Sequence, residues 1–174
     1  DELVPAMGCT EPIAIAYGAA LARRLLGSFP ERMTVSCSGN IIKNVKGVVV
    51  PTTGDLRGID TSALLGALAG DPDLEMEVLS RVGPEDVEQV RALRQTGLCQ
   101  VKALSGPACL HIIVEAEGNG HTALVEILDG HTNVVLEQRD GVPVFQGERA
   151  GVRRANARRQ EMTVADIYEF ARTV

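Results

Sequence analysis

Cys9 stands between a glycine and the run Thr10-Glu11-Pro12, just ahead of a stretch of small apolar residues. A thiol at the mouth of a helix feels the positive end of the helix dipole, which favours thiolate, the form that attacks electrophiles and binds metals. Inside a helix the same side chain is one more small hydrophobe. Position alone leaves a nucleophile, a metal ligand and a structural cysteine all open. The second candidate is "SGNIIKN", Ser38 to Asn44. There a strand should give way to a turn with free backbone N–H groups, and Lys43 can reach the same side, making a cradle for a carboxylate or phosphate. A plain strand-to-turn junction with a surface lysine would look the same. Lys43 could also serve as a Schiff-base lysine, but nothing nearby resembles a site for pyridoxal phosphate. His131, in "DGHTNVV", reads as a hydrogen-bonded turn residue. Cys37, Cys99 and Cys109 fall within or beside strands, where a small hydrophobe is the default, and no two cysteines form a CxxC pair.

The elements that must position these residues follow from periodicity and punctuation. A helix is expected from Glu11 or Pro12 to about Leu26, with Thr10 as its cap, Pro12 in the first turn and Gly27 as its stop. Its alanines and glycine occupy several faces, as in a helix buried on most sides. Met33 to Cys37 reads as a strand, "IIKN" as one helical turn capped by Asn40, and "VVVP" as a buried strand ending at Pro51. A second small-residue helix should run from Thr61 or Ser62 to Ala69. "LEMEVLSRV" looks like a strand, and residues 85–96 like an amphipathic helix. The segments starting at Leu98, Leu110, His121 and Thr132 alternate in polarity between Gly-containing turns, with Asp140-Gly141 a hairpin signal. They predict an antiparallel sheet with one wet face, covered by the helix at 85–96. The tail after Thr163 reads as a helix with no stop signal, as at a chain boundary. The fold class expected is α+β: small-residue buried helices with short strands, plus an antiparallel sheet covered by a helix. Its segments are 1–73, carrying the candidate site, 74–147, an α+β lobe, and 148–174, a linker and the start of a helix.

Bulk composition narrows the function. The chain has 174 residues, 45% of them hydrophobic and 3% aromatic, with no tryptophan, so its core must be built from Ala, Val, Leu and Ile. The net charge of −6 argues against nucleic acid or an anionic membrane as partner. The run "RRANARR" at 153–159 reads as a solvated linker. No apolar run reaches the ~18 residues that span a bilayer, and no signal peptide is visible. A cytoplasmic protein with reduced thiols is expected.

Taken together and in order, "VPAMGCTEPIAIAYGAA", "SGNIIKNVKGVVVP", "ALLGALAGDP", "LEMEVL" and "GHTNVV" resemble the N-terminal part of the L-cysteine desulfidase family. That group joins uncharacterised bacterial proteins to archaeal enzymes related to the alpha chain of iron–sulfur L-serine dehydratase. The resemblance covers essentially the whole chain, and "GCTEP" and "SGNIIKN" are its specific motifs. It implies a lyase that converts cysteine or serine to pyruvate, ammonia and sulfide or water. It implies a four-iron, four-sulfur cluster held by three cysteines, whose open iron acts as a Lewis acid on the β-substituent. Carried over residue by residue, it makes Cys9 a cluster ligand and Lys43 the candidate catalytic residue. Ser38, Gly39, Asn40, Asn44, Thr10 and Glu11 become candidates for substrate binding. The family's other two cluster cysteines belong to a Gly-rich C-terminal half with no counterpart here, and Cys37, Cys99 and Cys109 do not match them. The chain is therefore expected to be inactive and cluster-free alone. Its implied partners are an amino-acid substrate, the missing half or a partner chain, and a second copy of itself. The small-residue helices would then pack against that half and leave an apolar patch without it. A non-catalytic amino-acid-binding or regulatory module, or a structural subunit of a split enzyme, would share these features.

Overall fold

The computed structural model describes residues 6–149 and 163–173. The fold is α+β, with α1 (Thr10–Leu26), β1 (Arg32–Ser38), α2 (Gly39–Lys46), α3 (Ile59–Ala69) and α4 (Pro84–Gln95) preceding β2 (Cys99–Leu104), β3 (His111–Gly118), β4 (His121–Leu128), β5 (Val134–Arg139) and β6 (Val142–Gln146). A last helix, α5 (Val164–Thr173), has no buried residue. Thr163 caps it: Asp166 N–H donates to the Thr163 hydroxyl, while the Asp166 carboxylate accepts from Thr163 N–H. The basic run at 153–159 lies outside the described residues.

One six-stranded sheet carries the molecule, in the order β2-β1-β3-β4-β5-β6. It is mixed rather than purely antiparallel, because β2 runs parallel to β1 while the other pairs are antiparallel. A parallel neighbour needs a crossover, and residues 39–98 supply it. β1 therefore comes from the segment 1–73 yet lies inside the sheet formed by 99–146. Its inner face is a single apolar field: Val35 faces Val114, which faces Val125, and Cys37 faces Ile112, which faces Ile127. All six are fully buried. The register alternates as a half-buried sheet requires.

α1 covers this field. Every residue from Pro12 to Ala22 is buried, since one side of the helix lies on β3 and β4 and the other on α3. Two helix backbones can approach closely only where side chains are small. A Cβ on Gly66 of α3 would fall on the carbonyl oxygen of Ala16, with Ala16 Cα at 2.6 Å. The small-residue helices thus bury one another, and no missing half is needed to cover them. The helix over the sheet is α1, and α4 packs on the far side of α3 with Val87 and Val90 buried.

Three local expectations change. "IIKN" belongs to two turns of helix, α2, whose cap is Ser38 rather than Asn40. "VVVP" forms only one isolated bridge, Val49 to Arg57, because Val50 N–H turns back to the Leu56 carbonyl and closes a tight loop. "LEMEVLSRV" is not a strand. Asp71 caps a 3-10 segment at Pro72–Glu77 by accepting from Asp73 N–H, and Pro72 fixes the first φ. Its apolar residues Met76, Val78 and Leu79 still go inward, so the hydrophobic pattern marks burial here without marking a strand.

On the outer face of the sheet Glu126 is buried, although charged. His111 Nε2 lies 2.9 Å from its carboxylate, and Arg149 closes on both oxygens at 2.5 and 3.2 Å. A bidentate guanidinium on a carboxylate is the usual way to bury such a charge.

Candidate functional site

The mouth of α1 and the length of α2 meet at one carboxylate. Cys9 itself occupies the cap position of α1, with extended backbone (φ −63°, ψ 124°), and makes no side-chain cap bond. Thr10, expected there, is the first helical residue. Its hydroxyl donates to Glu11 Oε2 at 3.3 Å, as does the Cys9 thiol at the same distance. Asn44 Nδ2 donates to Glu11 Oε1 at 2.9 Å across 33 residues of chain. Glu11 also suits the first turn, where its charge meets the positive end of the dipole. Gly8 holds φ +146°, a conformation side-chain-bearing residues avoid, and a Cβ there would touch Pro51 at 3.4 Å. The bend at Gly8 lets the chain enter α1 with Cys9 half-exposed.

The remaining candidates divide. Asn40 lies one helical turn before Asn44, on the same side of α2, and is exposed. Gly39 and Lys43 are exposed as well. Ser38 is buried, and its hydroxyl is spent on the Cys109 carbonyl at 2.8 Å. That contact brings the β2–β3 loop, with its exposed Cys109, against the start of α2. His131 sits in the turn joining β4 to β5, at the same end of the sheet as Ser38: Asp129 N–H of that turn donates to the Leu110 carbonyl, next to the Cys109 that Ser38 contacts.

The electrostatics reverse one expectation. The Cys9 thiol is held above its ordinary range, first by burial and then by the hydrogen bond to Glu11 and that residue's charge. Backbone N–H groups of Glu11 and Thr10 pull the other way without winning. The dipole alone predicts thiolate, but burial, with the Glu11 carboxylate in direct contact adding to it, outweighs the dipole. For Glu11, burial works against the charge, yet hydrogen bonds from Asn44, Cys9, its own backbone and Thr10 together hold the carboxyl below its ordinary value. A depressed carboxyl adds stability above the ordinary carboxylate range, and that stability is lost as pH falls through the folded-state value. Cys37 and Cys99 are different in kind: burial pushes both thiols up to about 12, which leaves them inert at neutral pH.

A test follows for this pair. In Glu11→Gln the charge and the carboxylate acceptor vanish together, so the Cys9 pKa should fall. Alkylation of Cys9 by iodoacetamide, followed across pH by peptide mass spectrometry, should show its midpoint moving to lower pH and a faster rate at neutrality. An unchanged midpoint would mean that Glu11 does not govern the thiol.

As a metal site the arrangement is partial. Among the described residues, no three His, Cys, Asp or Glu side chains come close enough to hold a metal ion. The Cys9 thiol by itself fits one corner of an iron–sulfur cluster and no more. Motif spacing could suggest Cys9 and Asn44 separately. Their link through Glu11 joins distant parts of the chain, and no local sequence signal announces it.

Sequence comparison finds related proteins. The chain is 44% identical over 173 residues to a protein of Lachnoclostridium phytofermentans, covering 99% of this chain and 42% of that one. It is 41% identical over 176 residues to one of Treponema denticola, covering 100% and 41%. With one of Aeromonas hydrophila it shares 41% identity over 173 residues, covering 98% and 39%. These relatives are UPF0597 proteins. The chain spans about two fifths of the length of the UPF0597 relatives it matches. No family model matches the chain. Among the described residues, no helix is long and apolar enough to cross a membrane.

Proposed function

We propose that this chain is the N-terminal portion of an iron–sulfur-dependent amino-acid lyase of the L-cysteine desulfidase or L-serine dehydratase type. The observation that carries the reading is the half-exposed Cys9 thiol at the mouth of α1, tied through Glu11 to Asn44 of the "SGNIIKN" helix. The ordered resemblance of "GCTEP" and "SGNIIKN" to that enzyme family supports it. So does the length of the UPF0597 relatives, which leaves room for the further ligands a cluster needs. A cluster with an open iron would supply a Lewis acid for the thiol or hydroxyl leaving group of a β-substituted amino acid.

This chain's own residues prepare that site. Glu11 keeps the proton on Cys9 Sγ until a cation competes for the sulfur, so metal loading at Cys9 releases a proton and is favoured by rising pH. Asn44 fixes the Glu11 carboxylate and thereby the side of Cys9 that stays open. Asn40 and Lys43 present an amide and an ammonium to solvent from the same helix, a pair suited to a substrate carboxylate. Ser38, with its hydroxyl turned inward to Cys109, holds the start of α2 rather than substrate.

The test is anaerobic expression of the chain joined to the remaining length its relatives carry. Wild type should show the broad visible absorbance of a cluster and release sulfide and pyruvate from L-cysteine, or pyruvate and ammonia from L-serine. Cys9→Ser should lose both absorbance and turnover, while Lys43→Ala keeps the absorbance and loses turnover. A wild-type protein without iron, or a Cys9→Ser variant with the cluster intact, overturns the reading.

A further inference from the structure

We propose that a cleft at the C-terminal end of α1 binds a small organic monoanion, a carboxylate with a short aliphatic body. The cleft measures about 490 Å³, and its lining includes Arg23, Arg24, Ser28, Phe29, Leu68 and Pro72. That volume falls in the usual range of roughly 300–1,000 Å³ for small-molecule sites. Arg24 follows Cys9 by most of a 17-residue helix, about 20 Å at 1.5 Å per residue. The cleft is therefore separate from the thiol site, and its ligand is independent of the lyase reading.

Three observations select the ligand. The Ser28 hydroxyl oxygen is buried and finds no hydrogen-bond partner among the described residues. Ser28 lines the cleft, so a rotation about its Cα–Cβ bond would turn this unsatisfied donor toward an acceptor there. Next, among the described residues the wall carries two guanidiniums against a single carboxylate, Asp73, so it has one positive charge to spare in a chain of net charge −6. Arg23 spends one N–H on the Gly70 carbonyl at 2.7 Å, which anchors it and leaves its other donors free. Arg24 meets Asp73 at 2.6 Å, but both side chains are more than half exposed, and exposed pairs of this kind are weak enough to be exchanged for a ligand. Last, Phe29 is 36% exposed on the cleft wall, and with Leu68 and Pro72 it offers apolar contact to a body that follows the anionic head. A dianion would overmatch the one spare charge, and a neutral molecule would leave the guanidiniums unused.

Isothermal titration of the full chain with isovalerate and with isovaleramide tests this. The two differ in charge and barely in shape. Isovalerate should bind saturably, and isovaleramide at least about tenfold more weakly. Arg24→Gln should weaken isovalerate by a similar factor while leaving the thermal unfolding midpoint close to wild type, since that side chain is exposed. Phe29→Ser should weaken isovalerate and leave binding of formate, a monoanion without an aliphatic body, unaffected. No saturable binding of isovalerate at millimolar concentration overturns the site. Equal binding of acid and amide, or an Arg24→Gln variant that binds as wild type does, overturns the assignment of its ligand.

Discussion

Gly66→Ala should destabilise the fold severely. The added Cβ would meet the Ala16 carbonyl oxygen directly, and Ala16 Cα and carbonyl carbon lie at 2.6 and 2.7 Å. These are backbone atoms of a neighbouring helix, so no side chain can swing aside. The helices must separate, and α1 cannot retreat because its other side rests on β3 and β4. Alanine gains up to about 1 kcal/mol over glycine in helix propensity. The clash costs about 3 kcal/mol or more, since overpacking usually costs 1–3 kcal/mol even where neighbours can adjust. The steric term wins. Thermal unfolding followed by circular dichroism should show a midpoint lowered by on the order of 10 °C, or no cooperative transition at all. A wild-type midpoint would mean that α1 and α3 do not touch at Ala16.

Ile127→Ala should destabilise the fold by about 2–5 kcal/mol, and Gly18→Ala should give part of that back. Ile127 is fully buried on β4. A Cβ on Gly18 of α1 would stand 3.3 Å from Ile127 Cδ1 and 3.2 Å from Val114 Cγ2. In the wild type that methyl is crowded, so its helix-propensity gain is offset by contact strain. Once Ile127 is truncated the methyl enters the vacated space, keeps the propensity gain and shrinks the cavity. Chemical denaturation of wild type, both single variants and the double variant should yield a favourable coupling of about 1 kcal/mol, within the 0.5–3 kcal/mol typical of residues in contact. Strict additivity would count against the contact between α1 and β4 at this point.

What sequence could and could not reveal here divides along physical lines. Helices and hairpins signalled by local chemistry were readable: α1 from its proline and closing glycine, β5 and β6 from Asp140-Gly141, α5 from Thr163. The errors share one cause. "VVVP" and "LEMEVL" are apolar because they are buried, and burial without a neighbouring strand does not make a sheet. The small residues of α1 signal burial on most sides, but the partner is α3 of the same chain, which a single sequence does not name. At the site, Cys9, Glu11 and Asn44 were each legible from motifs. The state of the thiol was not, because it depends on a hydrogen bond that only the fold creates. The cleft by Arg23 and Ser28 gave no motif at all, since its walls come from α1, the chain after it and the end of α3.

The place of β1 has a consequence for how this chain is made. Both of its neighbours, β2 and β3, follow it by dozens of residues. As the chain leaves a ribosome, α1 and β1 emerge before every strand they pack against or pair with, and the apolar side of α1 has no floor until β3 and β4 appear. Closing such long loops is entropically costly before any contact rewards it, and high sequence separation slows folding. Biogenesis should therefore be late and all-at-once. Nascent chains ending before β3 should remain sensitive to protease, and protection should arrive in a single step once β4 has cleared the exit tunnel.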